Sequence, residues 1–426
     1  MNTDELYHLF LQYPSVETDT RKLKKGDIFF ALKGPNFNGN HYLQQALDMG
    51  AAYCVADEAT VIDSDRIIQV DDSLVALQQL AKKHRMQFQI PFIAITGSNG
   101  KTTTKELVSE VLSSSYKTST TYGNLNNHIG VPLTILSIAK DAEMAVIEMG
   151  ANHQKEIASY CEYTMPTHGL ITNCGKAHLE GFGGEEGVKK GKGELFDYLR
   201  AHRGIAFIYN DYDYLHTLSA GIQQLVTYGE KTGDITGEVK ADNGFLEVAV
   251  TKGAALPSIK TQLVGGYNLP NILAAVCIGK TFKVNDDKIK IALESYEPSN
   301  SRSQLLNKGT NKIILDAYNA NPTSMKAAIN NFSHMDGDKK VLILGGMMEL
   351  GESSIAEHAE IVKLIESGQW YKVVLVGKDY LDLPSNIFHF SDAAGARDWF
   401  RNEGLENAQI LVKGSRSMQM EKVIAW

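Results

Sequence analysis

At 426 residues, with 43% hydrophobic and 22% charged side chains, the chain has room for two to four domains that each bury a core, which excludes a minimal scaffold. Its 42 Lys and Arg against 50 Asp and Glu leave a net charge of −8, so a generic nucleic-acid binder, which needs basic stripes to displace counterions, is not expected. The four cysteines, Cys54, Cys161, Cys174 and Cys277, form no C-x-x-C pair, which argues against a zinc cage or a disulfide framework. The acidic start MNTDELYHLF lacks a basic-then-apolar signal and no apolar run reaches spanning length, so a reduced cytoplasmic protein without membrane insertion is expected.

Residues 1–88 read as a small α/β unit, with strands at Asp27 to Leu32 and Ala52 to Ala56 and a helical stretch near Tyr42 to Met49. A unit placed ahead of the phosphate loop described next is not expected to build the nucleotide site, and substrate recognition is its economical role. From residue 89 to 298 strand and helix patterns alternate as a covered, mostly parallel sheet demands. Strand candidates are Ile90 to Thr96, Ala145 to Met149, Gly169 to Cys174 and Gly204 to Tyr209. In such sheets ligands bind beyond the carboxyl ends of the strands. Cys174, closing one of these runs, is read as a small buried hydrophobe rather than a nucleophile.

The first of these strands runs into ITGSNGKTTT at 95–104. Gly97 and Gly100 let the backbone bend and bring N–H groups close to an anion, and the helix that follows adds its unpaired amino-terminal donors. Lys101 can then reach the β- and γ-phosphates, and Thr102 stands where a phosphate loop places its metal-ligating hydroxyl. The full G-x-x-x-x-G-K-[ST] pattern requires glycine where this chain has Ile95, so the loop is an atypical Walker A. Leu107, Val108, Val111 and Leu112 supply the inner face of the helix.

Three residues beyond other strand ends are chemically suggestive. Glu148 is either the second oxygen ligand of a magnesium ion held by Thr102 or a capping glutamate. His178 follows Cys174 within KAHLEG, and a lone histidine is more often structural than a ligand. Lys192, in GVKKGKGELF, is by composition one of several solvated lysines. In GNLNNHIGVPL (123–133), Asn124, Asn126 and Asn127 either cap turns or hydrogen-bond a sugar or phosphate. In GGYNLPN (265–271), Asn268 and Asn271 either read an adenine edge or cap the apolar helix that follows. EPSNS at 297–301 reads as a linker, after which Lys312 to Asp316, Val341 to Leu344, Val373 to Val376 and Gln409 to Val412 open a third strand–helix unit, residues 299–426.

Taken in order, ITGSNGKTT, Glu148, HLEGFG (178–183), GGYNLPN (265–271) and DAYNANP (316–322), with DTRKLKKGDIFFALKG (19–34) and LVKGSRSMQMEKV (411–423), resemble the Mur ligase family over the whole chain. The resemblance implies three α/β domains: a UDP-sugar-binding unit at 1–88, a central ATP-binding domain with a mostly parallel sheet at 89–298, and a Rossmann-like ligase domain at 299–426. It implies ATP-dependent amide formation, with Thr96, Gly97, Ser98, Asn99, Gly100, Lys101, Thr102 and Thr103 around the phosphates. Thr102 and Glu148 match positions that hold one magnesium ion, and His178 a ligand of a second. Lys192 matches a lysine that family members carry as a carbamate, an anion able to orient the shell of that second metal. Lys101, Glu148, His178 and Lys192 thus form the implied catalytic set. Asn268 and Asn271 match amides near adenine, and Arg302 and Asp316 match contacts to the γ-phosphate and the ribose.

Within the family, GNLNNHIGVPL, DAYNANP and KGSRSM resemble members that join D-alanyl-D-alanine to a UDP-N-acetylmuramoyl-tripeptide. This implies substrate-side roles for Asn124, Asn126, Asn127, Asn319, Asn321, Lys413, Ser415 and Arg416 in a monomeric enzyme. Two positions depart from the family pattern, Tyr267 for a frequent histidine and Gly346 for a frequent aspartate. The competing readings are a related ligase that adds the third peptide residue and a non-catalytic, nucleotide-gated binding protein.

Overall fold

The computed structural model describes residues 2–242, 244–299, 301–381 and 383–425. Alternation along its first parallel strands decides how the amino-terminal unit attaches. Phe29 and Cys54 pack on one side of a four-stranded sheet ordered Val16–Glu17, Ile28–Phe30, Tyr53–Ala56, Ile67–Gln69, whereas Ile28, Phe30 and Val55 face the other. That second face is covered by the helix Ser73–Arg85, whose start is capped by the Asp72 carboxylate accepting from Val75 N–H. Leu77, Leu80 and Ala81 of this helix join Phe92 and Ile93 in one continuous core, so the first sheet is welded to the second. Arg85 completes the weld: its buried guanidinium donates to the carbonyls of Thr164, Phe88 and Met165 and lies 3.7 Å from the Phe92 ring centre.

Nine strands form the central sheet, in the order Ile259–Lys260, Glu247–Lys252, Ile235–Ala241, Gln224–Gly229, Ile205–Tyr209, His168–Ile171, Phe92–Thr96, Met144–Glu148, Thr118–Thr120. All pairings are parallel except the two that involve Glu247–Lys252. Phe92–Thr96 and Met144–Glu148 are buried at every position, as strands covered on both faces must be. Helices Lys101–Ser113 and Leu269–Thr281 pack together on the sheet, while Glu185–Ala201 packs with Glu156–Thr164. Leu269–Thr281 is apolar nearly all round and accordingly sits in the core.

The third sheet has the order Gln304–Lys308, Asn311–Asp316, Gln409–Lys413, Lys340–Gly345, Lys372–Val376, Ile387–Phe390, with only the first pairing antiparallel. The last strand in the chain is thus inserted between two earlier ones. This puts Lys413 in register with Asp316 at the carboxyl edge of the sheet.

Two readings of the sequence need correction. The strand expected to end at Cys174 stops at Ile171, because Thr172 and Asn173 turn onto the phosphate loop: Thr172 Oγ1 donates to Asn99 O at 2.6 Å and Asn173 Oδ1 accepts from Asn99 N–H at 3.0 Å. Cys174 is only partly buried and borders the cleft described below. The hairpin Ile235–Ala241 with Glu247–Lys252 and the edge strand Gln304–Lys308 are additional elements, whose apolar runs are no longer than the three residues Val248 to Val250. Of the linker EPSNS, Asn300 lies outside the described residues.

Candidate active site

The carboxyl edges of the central and third sheets enclose a cleft of about 730 Å³. Its floor is the turn from Phe92–Thr96 into the helix Lys101–Ser113. Gly97 (φ +142°) and Gly100 (φ +79°) hold backbone conformations that side chains resist, and a Cβ on Gly97 would lie 2.0 Å from Thr172 Oγ1. The loop is therefore drawn tight against the neighbouring strand end, where Ser98 N–H donates to Asn173 O at 2.8 Å and Asn99 N–H to Asn173 Oδ1 at 3.0 Å. Lys101 folds back so that its Nζ donates to Gly97 O (2.7 Å) and Ser98 O (3.3 Å). Burial holds its pKa below the ordinary lysine range, partly offset by Glu148.

Beside it, Thr102 Oγ1 and Asn126 Nδ2 both donate to Glu148 Oε1, at 3.0 and 2.7 Å. The other carboxylate oxygen, Glu148 Oε2, is buried without a partner. An orphaned carboxylate oxygen next to a threonine hydroxyl fits a magnesium ion, which takes one or two protein oxygens and leaves its remaining positions to water and phosphate.

Lys192 lies on the inner side of the helix Glu185–Ala201, 1% exposed, with Nζ donating to Ala151 O at 2.9 Å. Burial, reinforced by the charge of Lys101, pushes its pKa down to about 7. Ala151 lines the cleft whereas Lys192 does not, so the amine stands just beneath the wall. His178 lines the cleft and pairs through Nδ1 with the carboxylate of Glu349, which comes from the third sheet's unit.

On the opposite side, Asn268 precedes the helix Leu269–Thr281 without capping it. Its Nδ2 donates to Val264 O (2.9 Å), Asn271 Nδ2 donates to Asn268 Oδ1 (2.9 Å), and Thr104 Oγ1 donates to Asn271 Oδ1 (3.0 Å). This chain fixes both amides in the cleft wall. From the third unit come Arg302, stacked 3.5 Å over the Tyr318 ring, and Asp316, which accepts from Lys413 Nζ at 2.5 Å and from Ser303 N–H at 3.2 Å. Asn321 caps the helix Pro322–His334 through Ser324 N–H and donates from Nδ2 to Asn99 Oδ1 of the phosphate loop at 2.7 Å.

Of the residues singled out from the sequence, Ser98 through Thr103, Asn126, Asn127, Glu148, His178, Asn268, Asn271, Arg302, Asp316, Asn319, Asn321 and Lys413 meet around the cleft. Thr96, Gly97, Asn124, Lys192, Ser415 and Arg416 are not among its lining residues. Thr96 Oγ1 is spent on Met149 O, Ser415 Oγ accepts from Met348 N–H, and Arg416 is exposed and paired with Glu421. Tyr160, Tyr212, Tyr214 and Thr323 line the cleft without any motif to mark them. Tyr212, Tyr214 and Thr323 stand after strand ends, at or near the starts of the helices that follow, whereas Tyr160 lies within the helix Glu156–Thr164 and carried no signal.

Three family models match the chain: "Mur ligase family, catalytic domain" over residues 12–85, "Mur ligase middle domain" over 95–279, and "Mur ligase, glutamate ligase domain" over 301–416. The UDP-N-acetylmuramoyl-tripeptide–D-alanyl-D-alanine ligase of Escherichia coli is 35% identical over 431 residues, covering 99% of this chain and 95% of that protein. A crystal structure of MurF from Acinetobacter baumannii superposes with a TM-score of 0.88 at 31% identity, covering 96% of this chain and 92% of that one. The MurF ligase of Thermotoga maritima in complex with ADP gives 0.87 at 28% identity, covering 97% of each. With family models matched from residue 12 to 416 and a third of its residues shared with a member along its whole length, the chain belongs to the Mur ligase family.

Proposed function

We propose that the chain is an ATP-dependent amide ligase that joins D-alanyl-D-alanine to the tripeptide carboxylate of a UDP-N-acetylmuramoyl-tripeptide, giving the pentapeptide precursor of peptidoglycan with ADP and phosphate. The observation that carries the chemistry is the meeting of Lys101, Thr102 and Glu148 with Arg302 and Asp316 across one cleft. Similarity to UDP-N-acetylmuramoyl-tripeptide–D-alanyl-D-alanine ligases over 96–99% of the chain supports the substrates. We read the enzyme as a cytoplasmic monomer. Among the described residues no helix is long and apolar enough to cross a membrane.

An unactivated carboxylate does not condense with an amine in water. The tripeptide carboxylate therefore attacks the γ-phosphorus of ATP, the bond to the β-phosphate oxygen breaks, and ADP leaves behind an acyl phosphate. The dipeptide amine then adds to the acyl carbon, and the tetrahedral intermediate expels phosphate as the nitrogen loses its proton. Both steps gather negative charge in one place, so positioning and electrostatic neutralisation are the main tasks of the protein. Backbone N–H groups of 100–103 at the amino-terminal end of the helix Lys101–Ser113 hold the phosphates, and Lys101 exchanges its carbonyl partners for phosphate oxygens. Asn268 and Asn271 face the base, Asp316 the ribose, and Arg302 the γ-phosphate. Asn126, Asn127, Asn319, Asn321 and Lys413 lie on the substrate side.

Thr102 and Glu148 would hold one magnesium ion and His178 a second, which neutralise phosphate and carboxylate oxygens when bound. Lys192 is suited to carry a carbamate: a lysine whose pKa sits near 7 keeps a free lone pair, which attacks carbon dioxide and releases a proton. The resulting anion stands where the charge of Lys101 favours it.

The test is the mass of the product formed from ATP, magnesium, the UDP-muramoyl tripeptide and D-alanyl-D-alanine. The expected product is heavier than the acceptor by the dipeptide less water. A phosphorylated acceptor, or a product grown by one amino acid, contradicts the assignment.

A further inference from the structure

The segment that carries His178 is held largely from outside its own unit. Beyond Gly175, whose carbonyl accepts from Ser98 Oγ, Lys176 N–H donates to Thr323 Oγ1 at 3.0 Å and Lys176 Nζ donates to Glu357 Oε1 at 2.6 Å, with Glu185 further off at 3.6 Å. The His178 ring meets the Glu349 carboxylate through Nδ1, and Glu180 N–H points at Glu349 O at 3.5 Å. Thr323, Glu357 and Glu349 all belong to the third unit. His178 (φ +53°) and Glu349 (φ +61°) both take the left-handed conformation, which is strained for a non-glycine residue and persists only where the surroundings require it. Each backbone is thus committed to this approach.

Glu349 is presented by a braced loop. Tyr380 Oη donates to Gly345 O at 3.1 Å, and Met348 N–H donates to Ser415 Oγ at 2.9 Å. Between them, Met347 N–H donates to Nε2 of the fully buried His358 at 3.0 Å. Since Nε2 accepts, the ring proton sits on Nδ1, which donates to Ser354 O at 2.7 Å.

We infer that Glu349 is a positioning residue supplied by the third unit: acting through His178, it sets which ring nitrogen carries the proton and leaves the Nε2 lone pair for the second cation. Histidines that bind metal through one nitrogen are routinely fixed by a carboxylate on the other. Here that carboxylate comes from a different unit of the chain. The second cation site is therefore complete only while the third unit is seated on the central one. ATP bound to the central unit alone lacks it, which protects the nucleotide from wasteful hydrolysis before the acceptor amine is enclosed. Ser415, expected from the sequence to touch substrate, acts in this arrangement as a brace for the loop.

The inference rests on the two-cation reading, and the test separates the two. Manganese is titrated into the whole chain with a non-hydrolysable ATP analogue and followed by electron paramagnetic resonance. Two sites are expected in the wild type. Glu349→Gln, nearly isosteric, is expected to keep the tighter site and to weaken the second about tenfold or more, with kcat falling and KM for ATP little changed. Glu349→Asp, which keeps the charge and tolerates the left-handed backbone, is expected to recover part of both. Wild-type affinity at both sites in Glu349→Gln overturns the inference whatever its turnover. A single manganese site in the wild type overturns the two-cation reading and the inference with it.

Discussion

Lys192 shows what a single residue needs before its chemistry can be read. Within GVKKGKGELF it is one lysine among three, and composition alone makes it solvated. The helical phase says otherwise: Val188, Gly191, Lys192, Leu195, Phe196 and Leu199 are buried, a pattern of i, i+3, i+4, i+7, i+8 and i+11 that places the amine on the apolar face. That phase was present in the sequence and could have marked it. Its lowered pKa depends on burial and on Lys101, more than ninety positions earlier in the chain, and on folding alone. Replacing Lys192 by Ala is expected to reduce turnover by about 10²-fold or more. Formate or acetate in the assay buffer is expected to restore part of it by standing in for the carbamate. Full activity of Lys192→Ala contradicts the role. By contrast, Lys101, Thr102 and Glu148 were legible from local sequence, because a phosphate loop and a strand-end carboxylate are set by a few neighbouring residues.

Among elements, the fully buried parallel strands were legible, whereas the antiparallel edges and the more polar parallel strands Thr118–Thr120, Gln224–Gly229 and Ile387–Phe390 were not. Phe92–Thr96 and Met144–Glu148 must be apolar on both faces, so they stand out as continuous runs. Ile235–Ala241 is exposed over its second half and Gln304–Lys308 is only half-buried along most of its length, and neither forms such a run. A central strand also carries a pH-sensitive group. His168 opens His168–Ile171, bonded to Thr167 Oγ1 at 2.8 Å and stacked on Phe207. Burial pushes its pKa down from 6.5 to about 4. Between those two values the unfolded chain takes up a proton that the folded chain refuses, so stability present above pH 6.5 is lost as pH falls towards 4. The loss amounts to at most about 3 kcal/mol. His168→Phe, which removes the titrating group, is expected to flatten denaturant-measured stability across that window. An unchanged slope would place the acid sensitivity elsewhere.

At the scale of the molecule, the active cleft is a property of two sheets facing each other, and this is the part that sequence conveys least. Asn99 and Asn321 meet at 2.7 Å although 222 positions separate them, and Lys176 reaches Glu357 across 181. Each is an ordinary polar residue in its own neighbourhood. One apolar cluster runs through all three units, and the third also meets the central unit through polar contacts such as these. Tyr296 anchors the start of the connection by donating to Glu106 Oε2 at 2.6 Å, and Ser301 and Ser303 beyond it take left-handed conformations. Polar contacts at this seam and a short connection suit a unit that closes over ATP and opens again to release product. Such a device protects an acyl phosphate from water, and it makes phosphate release depend on the amine that consumes the intermediate. The most direct measurement is therefore phosphate release from ATP, magnesium and the UDP-muramoyl tripeptide, with and without D-alanyl-D-alanine. Release that requires the dipeptide, with one phosphate for each amide formed, is the expected result; release of equal rate without any amine, or none with any amine, would contradict it.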